Sequence, residues 1–355
     1  MAHVIDMVMD FQYGSTGKGL IAGYLAKRGN YDTSICSFAV NAGHTYIDRA
    51  QGINLMTQQL PTGGLVSPTV KTILIGPGAL IHGATLFKEI TDNIMLLKGK
   101  RIMIHPFAAV IEDYHAEEEK SGGMTKIGST AKGVGTAAIE RIKRDPLNPN
   151  VAAKRFYTGP LAQYVVTQED YRIALEKAEE ILIEGAQGFS LSMYHGQYPY
   201  TTSRDVTPWQ IAADCALPYR WASYIQVIGT MRTFPIRVNN RDGSSGPCYP
   251  DQLELSWSNF AEMGIAPELT TVTKLERRIF TFSQRQAAEA AFHCGGYWNT
   301  RIFLNFANYC RGDELTEIIQ KIETPTKHNL NPPKVVWIGW GPDDEDVTTS
   351  IETRF

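Results

Sequence analysis

Short apolar runs alternate along the chain with stretches whose apolar residues recur at helical spacing. The runs are rich in Val, Ile and Leu, a pattern typical of strands buried on both faces of a sheet. The strands predicted from it are His3–Met9, Ser34–Val40, Lys71–Ile75, Arg101–His105, Glu180–Glu184, Tyr224–Thr230, Arg301–Phe306 and Lys334–Ile338. The predicted helices are Gly17–Arg28, Ala84–Leu97, Val134–Lys143, Gln168–Ala178, Ser283–His293 and Glu314–Ile322. Because strands and helices alternate, we predict an α/β protein with a mainly parallel central sheet flanked by helices.

Length and composition limit the possible classes of protein. The 355 residues show no internal repeat or low-complexity segment, so we predict a single domain, residues 1–355, with inserted loops. A net charge of −3 offers no basic surface to nucleic acid. The five cysteines are scattered without a Cys-x-x-Cys pair, which argues against a disulfide framework or a zinc site. No apolar run approaches the roughly 20 residues that span a bilayer, and the N-terminus lacks the signal-peptide pattern, so we expect a cytoplasmic protein without a membrane partner.

A glycine-rich turn joins the first predicted strand to the first predicted helix. It runs from Asp10 to Leu20 and contains Gly14, Gly17, Lys18 and Gly19. Glycines let backbone N–H groups approach a phosphate, the helix N-terminus adds partial positive charge, and a lysine can contact a terminal phosphate. The spacing differs from the standard P-loop, which has four residues between its glycines and a Ser or Thr after the lysine. The segment is therefore either a phosphate-binding loop or a tight turn with an incidental lysine.

Two further turns follow predicted elements. After the second strand, residues 41–45 read Asn-Ala-Gly-His-Thr, and His44 is either an acid–base group at a strand end or a structural histidine. Residues 127–135 form a second Gly/Ser/Thr turn that enters a helix with a basic end. Hydroxyls, N–H groups and arginines together suit a second phosphate, whereas an ordinary capped helix with a solvated basic end explains the same pattern.

Three later polar stretches are also candidates for ligand contact. Glu184–Gly188 and Tyr198–Ser203 supply amide and hydroxyl groups for a base or a phosphate, although ordinary loop polarity gives the same composition. Glu268–Arg278 is a threonine-rich loop that ends in two arginines, and the guanidinium geometry matches a dicarboxylate. Gly339–Asp343 follows a strand and could flank a base.

Taken together and in this order, these segments resemble adenylosuccinate synthetase, and the resemblance covers most of the chain. The matching segments are GSTGKG, NAGHT, IGST-x-x-G-x-G, EGAQG, YPY-x-TS, the threonine/arginine loop and the late GPD. The resemblance implies the family's P-loop-variant fold. It also implies a ligase that joins aspartate to a 6-oxopurine nucleotide in two steps. A nucleoside triphosphate first phosphorylates O6, and the aspartate amine then displaces that phosphate, with Mg²⁺ as cofactor.

The resemblance also assigns residues to each ligand. It implies the catalytic residues Ser15, Lys18, His44 and Gln187. It places the monophosphate at Ser15, Thr16, Gly17, Lys18, Asn41, Ala42, Gly43, His44, Ser129, Thr130, Arg144, Gln187 and Thr202. It places the triphosphate at Gly14, Ser15, Thr16, Gly17, Lys18, Gly19, Gly43, His44, Thr45, Arg277, Asn305, Asn308, Gly339, Gly341 and Pro342. Aspartate falls at Thr271, Val272, Thr273 and Arg277, and the metal at Ser15 and the Gly43 carbonyl. Arg144 matches an arginine that reaches the monophosphate of the neighbouring subunit, which implies a homodimer.

One departure from the family changes the expected monophosphate. Ser15-Thr16 stands where the family has Asp-Glu, and that aspartate is the family's base and a magnesium ligand. Serine is shorter and uncharged, so space opens for a 2-amino group and guanine is favoured over hypoxanthine. The chain therefore resembles a viral branch of the family that acts on dGMP and supplies diaminopurine for phage DNA, which would place it in the host cytoplasm. The alternative explanation of the same change is an inactive, degenerate synthetase.

Two more departures concern the triphosphate and the sugar. Asn305–Asn308 replaces the Lys-x-Asp with which the family recognises guanine, and asparagine both donates and accepts, as adenine requires. We therefore expect ATP or dATP as phosphoryl donor. Leu275 stands where the family has an arginine near the ribose, so we expect a preference for the 2′-deoxy sugar, of roughly tenfold to hundredfold. The alternatives are an ordinary synthetase acting on IMP with GTP and a non-catalytic regulator that binds nucleotides.

Overall fold

A computed structural model describes residues 4–240, 244–270, 274–296, 298–327 and 329–349. Within these residues the strands are β1 (Val4–Asp10), β2 (Thr33–Cys36), β3 (His44–Asp48), β4 (Ile53–Thr57), β5 (Thr72–Ile75), β6 (Leu80–His82), β7 (Arg101–Ile104), β8 (Ala109–Ile111), β9 (Glu180–Gly188), β10 (Ile225–Arg232), β11 (Ile236–Arg237), β12 (Glu254–Leu255), β13 (Arg278–Phe280), β14 (Thr300–Asn305), β15 (Lys334–Gly339) and β16 (Val347–Thr349).

The helices of the described residues surround these strands. They are α1 (Lys18–Arg28), α2 (Thr62–Val66), α3 (Gly83–Asp92), α4 (Asp113–Ser121), α5 (Val134–Lys143), α6 (Ala152–Arg155), α7 (Gln168–Lys177), α8 (Pro208–Asp214), α9 (Gln284–Cys294) and α10 (Glu314–Glu323). Short 3₁₀ helices occupy Arg49–Gln51, Met124–Ile127, Ala162–Tyr164, Phe189–Leu191, Tyr219–Tyr224, Trp257–Met263, Ala307–Tyr309 and Asp344–Asp346. None of the helices in this part of the chain is long and apolar enough to cross a membrane.

Nine strands form one sheet in the order β16-β15-β14-β10-β1-β9-β2-β5-β7. All neighbours in it are parallel except β15 and β16, so the predicted mainly parallel sheet is confirmed. The first strand lies near the middle, between β9 and β10. Because all parallel strands end at the same edge, the segments that follow β1, β9, β10, β14 and β15 meet there.

Alternate residues of β1 enter two separate cores. Ile5, Met7 and Met9 pack into the cluster that contains α7, α9 and α10, whereas Val8 belongs to the cluster that contains α1 and α3. Both faces of the sheet are therefore covered, which explains why its strands read as continuous apolar runs.

The eight strands predicted from apolar runs all lie in this sheet, and the six predicted helices are α1, α3, α5, α7, α9 and α10. Three boundaries differ by four or more residues. The strand predicted to reach Val40 ends at Cys36, and the helix predicted to reach Leu97 ends at Asp92. The strand predicted to end at Glu184 continues to Gly188. Helix α4 was not predicted, because its buried positions are the polar residues His115 and Glu119 rather than an apolar stripe.

Candidate active site

The glycine-rich loop leaves β1 at the middle of the sheet and enters α1. Gly14, Ser15 and Gly17 have φ angles of 99°, 57° and 92°, so the chain turns through three left-handed residues. Glycine adopts this region without the steric cost that other residues bear. Helix α1 starts at Lys18 without a side-chain cap, so its first N–H groups are available to an anion.

Asp10, the last residue of β1, contacts this loop from the protein interior and was not among the predicted site residues. Its carboxylate is fully buried and accepts hydrogen bonds from the N–H groups of Gln12 (2.7 Å) and Gly14 (3.3 Å). The other oxygen accepts from Thr16 Oγ1 (2.5 Å) and pairs with Lys18 Nζ (3.3 Å). The last residue of β1 thus fixes the loop from below and holds the predicted phosphate-binding lysine.

His44 begins β3 and is buried against the carboxylate of Glu184, which opens one of the predicted ligand-contact segments but had no predicted role of its own. Its Nδ1 lies 2.6 Å from Glu184 Oε1, and Thr62 Oγ1 donates to both oxygens of Glu184 at 2.9 and 3.0 Å. The other ring nitrogen, Nε2, is buried and has no hydrogen-bond partner within the described ranges. An orphaned buried nitrogen is costly, so this atom is suited to bond a ligand.

The histidine and the loop are in direct contact. A Cβ added to Gly19 would lie 2.7 Å from the Thr45 carbonyl oxygen, so the first turn of α1 packs against the start of β3. Thr62 Oγ1 also contacts the Gly19 carbonyl oxygen at 3.2 Å. The fold therefore brings Lys18 and His44, predicted from separate motifs, to one place.

A second group of predicted residues gathers around Asn41. Gln187 adopts a left-handed φ of 64°, and its amide donates to Asn41 Oδ1 at 3.0 Å. Lys132 Nζ donates to the Val40 carbonyl oxygen at 2.9 Å, which brings the turn containing Ser129 and Thr130 to the same segment. This segment continues through Ala42 and Gly43 into His44.

On the other side of this segment, Arg204 Nη1 donates to the Ser37 carbonyl oxygen at 2.9 Å. That contact places the stretch around Thr202 beside the chain that leads to Asn41.

Two N–H groups at the N-terminus of α5 already have a protein acceptor. The N–H groups of Gly133 and Gly135 each donate to the buried Glu119 carboxylate at 2.7 Å. These two groups are therefore capped, and a phosphate at the preceding turn with Ser129 and Thr130 stays a prediction. Arg144 follows the last residue of α5, about 15 Å from the first turn. It is exposed and lies at the opposite end of the helix from Ser129 and Thr130.

Asn305 and Asn308 have different environments. Asn305 ends β14, and its amide donates to the Thr16 carbonyl oxygen at 3.3 Å. A Cβ added to Gly17 or to Gly339 would lie 2.2 Å from this amide, so Asn305 is wedged between the loop and the end of β15. Asn308 is exposed, and of the two side chains it is the one open to a base. Gly341 and Pro342 continue from Gly339 at the same edge.

Arg232, at the end of β10, connects the loop to the threonine/arginine segment and was also missed. It is fully buried, donates to the Ser15 carbonyl oxygen at 3.2 Å and pairs with Glu268 at 2.5 Å. Burial has the largest single effect on Glu268 and raises its pKa, but the charge and hydrogen bond of Arg232, the charge of Arg277 and the Tyr309 hydroxyl together lower that pKa below its ordinary value. Burial lowers the pKa of the Arg277 guanidinium. The backbone N–H of Arg277 donates to the Glu268 carbonyl oxygen at 2.8 Å. Thr271, Val272 and Thr273 lie outside the described residues.

Two oxygen donors predicted to hold magnesium are accessible near the loop. Ser15 and Gly43 are both exposed. The described residues contain no group of three or more His, Cys, Asp or Glu that could hold a metal ion by themselves. Neutral oxygens fit Mg²⁺, which is usually held by few protein ligands together with substrate phosphates and water.

Known proteins resemble this chain in sequence and in fold. The adenylosuccinate synthetase family model matches residues 7–150 and 148–291. The chain belongs to the adenylosuccinate synthetase family. The N6-succino-2-amino-2′-deoxyadenylate synthases of Acinetobacter phage SH-Ab 15497 and Vibrio phage phiVC8 are similar to it at 43% and 44% identity, over 98% and 97% of this chain and 93% and 97% of theirs. A solved structure of the cyanophage S-2L succinoaminodeoxyadenylate synthetase, bound to dGMP and to dATP as an energy donor, superposes with a TM-score of 0.89 at 39% identity, covering 99% of this chain and 96% of that one.

Proposed function

We propose that this protein joins L-aspartate to dGMP with ATP or dATP as phosphoryl donor. The product is N6-succino-2-amino-2′-deoxyadenylate, a precursor of diaminopurine deoxynucleotide in phage-infected cells. The observation that carries the proposal is the environment of the buried His44. Its Nδ1 contacts Glu184, and its Nε2, which has no partner among the described residues, lies near the predicted phosphate-binding loop. The likeness to phage synthases, one of which was solved with dGMP and dATP, supports the choice of substrates.

The first step transfers the γ-phosphoryl group of the triphosphate to guanine O6 and leaves a nucleoside diphosphate. The N1 proton of guanine is lost in this step and passes to water or to a phosphate oxygen. Lys18 and the N–H groups of the loop hold the phosphoryl group as it moves, because they present fixed positive charge where negative charge collects. His44 Nε2 hydrogen-bonds O6, and Glu184 holds the ring in place through Nδ1. Asn41 and Gln187 hold the nucleotide beside them.

The second step replaces the phosphate at C6 with the aspartate amine and releases inorganic phosphate. Arg277 and the neighbouring threonines, Thr271 and Thr273, are proposed to bind the aspartate carboxylates. Arg277 is half-buried, and the lowered pKa of its guanidinium reflects a desolvated charge suited to an anion. Ser15 and the Gly43 carbonyl would hold Mg²⁺, which supplies charge neutralisation for the phosphates when it is bound.

The environment of the two asparagines supports an adenine triphosphate. Asn305 is committed to the loop, so Asn308 is proposed to contact the base. An amide both donates and accepts, which matches the adenine edge, whereas guanine needs two acceptors in a row.

The end of α5 supports a homodimer in which Arg144 reaches the monophosphate of the neighbouring subunit. Arg144 is exposed and lies beside Ile139, Ile142 and Leu147, which are 56%, 67% and 93% exposed. Apolar side chains so exposed on one helix and its following turn suit a partner surface.

The test is a phosphate-release assay with L-aspartate that crosses dGMP, GMP and IMP against ATP, dATP and GTP, with the product checked by mass. We expect turnover with dGMP and an adenine triphosphate, and a product that carries the succinyl group. Turnover confined to IMP with GTP would show an ordinary synthetase. Binding of dGMP and dATP without phosphate release would show a nucleotide-binding regulator.

A further inference from the structure

Asp10 provides the negative charge closest to Lys18. The two side chains are 0% and 8% exposed and their charged atoms lie 3.3 Å apart. This is the ion pair that Lys18 makes within the residues that the structure describes. A buried ammonium without a partner would be strongly unfavourable, so Asp10 is what makes the position of Lys18 tolerable before a ligand arrives.

The same carboxylate also binds other polar groups of the glycine-rich loop. It accepts two loop N–H groups, the Thr16 hydroxyl and the Lys18 ammonium. Thr16 Oγ1 is also 2.5 Å from Thr230 Oγ1 on β10, so the arrangement is anchored to the neighbouring strand. Asp10 is thus a buried anion within the loop, whereas Ser15 of the same loop is exposed.

We propose that Asp10 is a positioning residue that keeps Lys18 and the loop aligned when the loop is empty and releases the ammonium to the terminal phosphate of the triphosphate. The inference rests on the proposed function in one respect, that this loop binds a triphosphate. The negative charge of Asp10 repels the phosphates of the triphosphate and so lowers the affinity of the loop for it. In return, the lysine is held where the phosphoryl group moves, which favours turnover.

Asp10→Asn tests the proposal, since it keeps the size of the side chain and removes its charge. The variant is titrated with dATP and with inorganic tripolyphosphate, and kcat and KM are measured separately. We expect dissociation constants lower by roughly tenfold, because one negative charge near the phosphates is gone. We also expect kcat lower by roughly tenfold or more, because Lys18 is no longer held. A merely structural role would lower the melting temperature and leave the dissociation constants unchanged.

Asp6→Asn is the matched control. Asp6 lies on the same strand, four residues before Asp10, and its carboxylate contacts the Tyr31 hydroxyl at 2.5 Å instead of the loop. Binding and turnover of this variant should equal those of the wild type. An unchanged or weaker affinity of Asp10→Asn for both probes, with wild-type kcat, would overturn the proposal.

If Asp10→Asn does not fold, the double variant Asp10→Asn/Lys18→Met decides the matter. It removes both charges of the buried pair, and we expect it to melt at a higher temperature than Lys18→Met alone, because Lys18→Met leaves a buried carboxylate without its cation. A lower or equal melting temperature would overturn the coupling between the two residues. The proposed function would be refuted if the wild-type protein bound dATP and tripolyphosphate but did not turn over dGMP. The dissociation constants of the variants would still test the role of Asp10 in that case.

Discussion

Replacing Glu184 with glutamine removes the charge behind His44 and puts an amide nitrogen where Oε2 accepts from Thr62 Oγ1 and the Gly63 N–H. The two side chains are buried, and Glu184 Oε1 lies 2.6 Å from Nδ1 of the histidine. Glutamine has the same shape, so its carbonyl oxygen can still accept from Nδ1. A hydrogen bond to a charged group contributes about 1.5–3 kcal/mol and one between neutral groups about 0.5–1.5 kcal/mol. The difference of about 1–2 kcal/mol corresponds to a loss of roughly 5- to 30-fold in turnover if it is felt fully in the transition state.

The assay is phosphate release at saturating dGMP, dATP and L-aspartate, with dGMP binding measured separately by calorimetry. We expect kcat to fall in that range while the dissociation constant for dGMP changes little. Thr62→Val is the control, because it removes a hydroxyl that donates to the same carboxylate but leaves the charge beside His44. Wild-type kcat in Glu184→Gln, or a loss equal to that of Thr62→Val, would refute a role for the charge in orienting the histidine.

Three other predictions follow from the contacts. His44→Asn should abolish phosphate release and leave dGMP binding largely intact by calorimetry; surviving activity would remove the assignment of His44 Nε2 to O6. Gly188→Ala should raise KM for the triphosphate and lower the melting temperature, because its Cβ would lie 2.4 Å from the Gln12 carbonyl oxygen and 2.6 Å from the Gly14 nitrogen; wild-type KM would show that the loop moves freely. Burial lowers the pKa of His105 from 6.5 to about 4, and its Nδ1 accepts the Phe107 N–H at 3.1 Å. As the pH falls, His105 of the unfolded chain therefore binds a proton before His105 of the folded protein does. The free energy of unfolding is highest above pH 6.5 and decreases by up to about 3 kcal/mol between pH 6.5 and pH 4. Urea unfolding at several pH values should show that the free energy of unfolding decreases less between pH 6.5 and pH 4 in His105→Gln than in the wild type. An equal decrease in the two proteins would contradict this account.

The elements that the sequence predicted are those whose burial is apolar. Strands such as β1 and β9 are covered on both faces, so each contains a mainly apolar run, interrupted in β1 by Asp6. Helix α4 has no such signal, because Glu119 is buried to cap α5 and His115 to contact Glu140. Polar residues buried for a tertiary contact look like surface residues in a sequence, so local pattern could not find this helix.

The sequence by itself determined the α/β class, the order of the motifs, and through them the family to which the chain belongs. The motif residues Lys18, His44 and Gln187 were found because each lies in a short segment whose local composition is distinctive. The tertiary structure alone decided which groups support them. Glu184 is 140 residues from His44, and Arg232 is 217 residues from Ser15. Such contacts are set by the strand order at the carboxyl edge of the sheet, and no spacing along the chain encodes them.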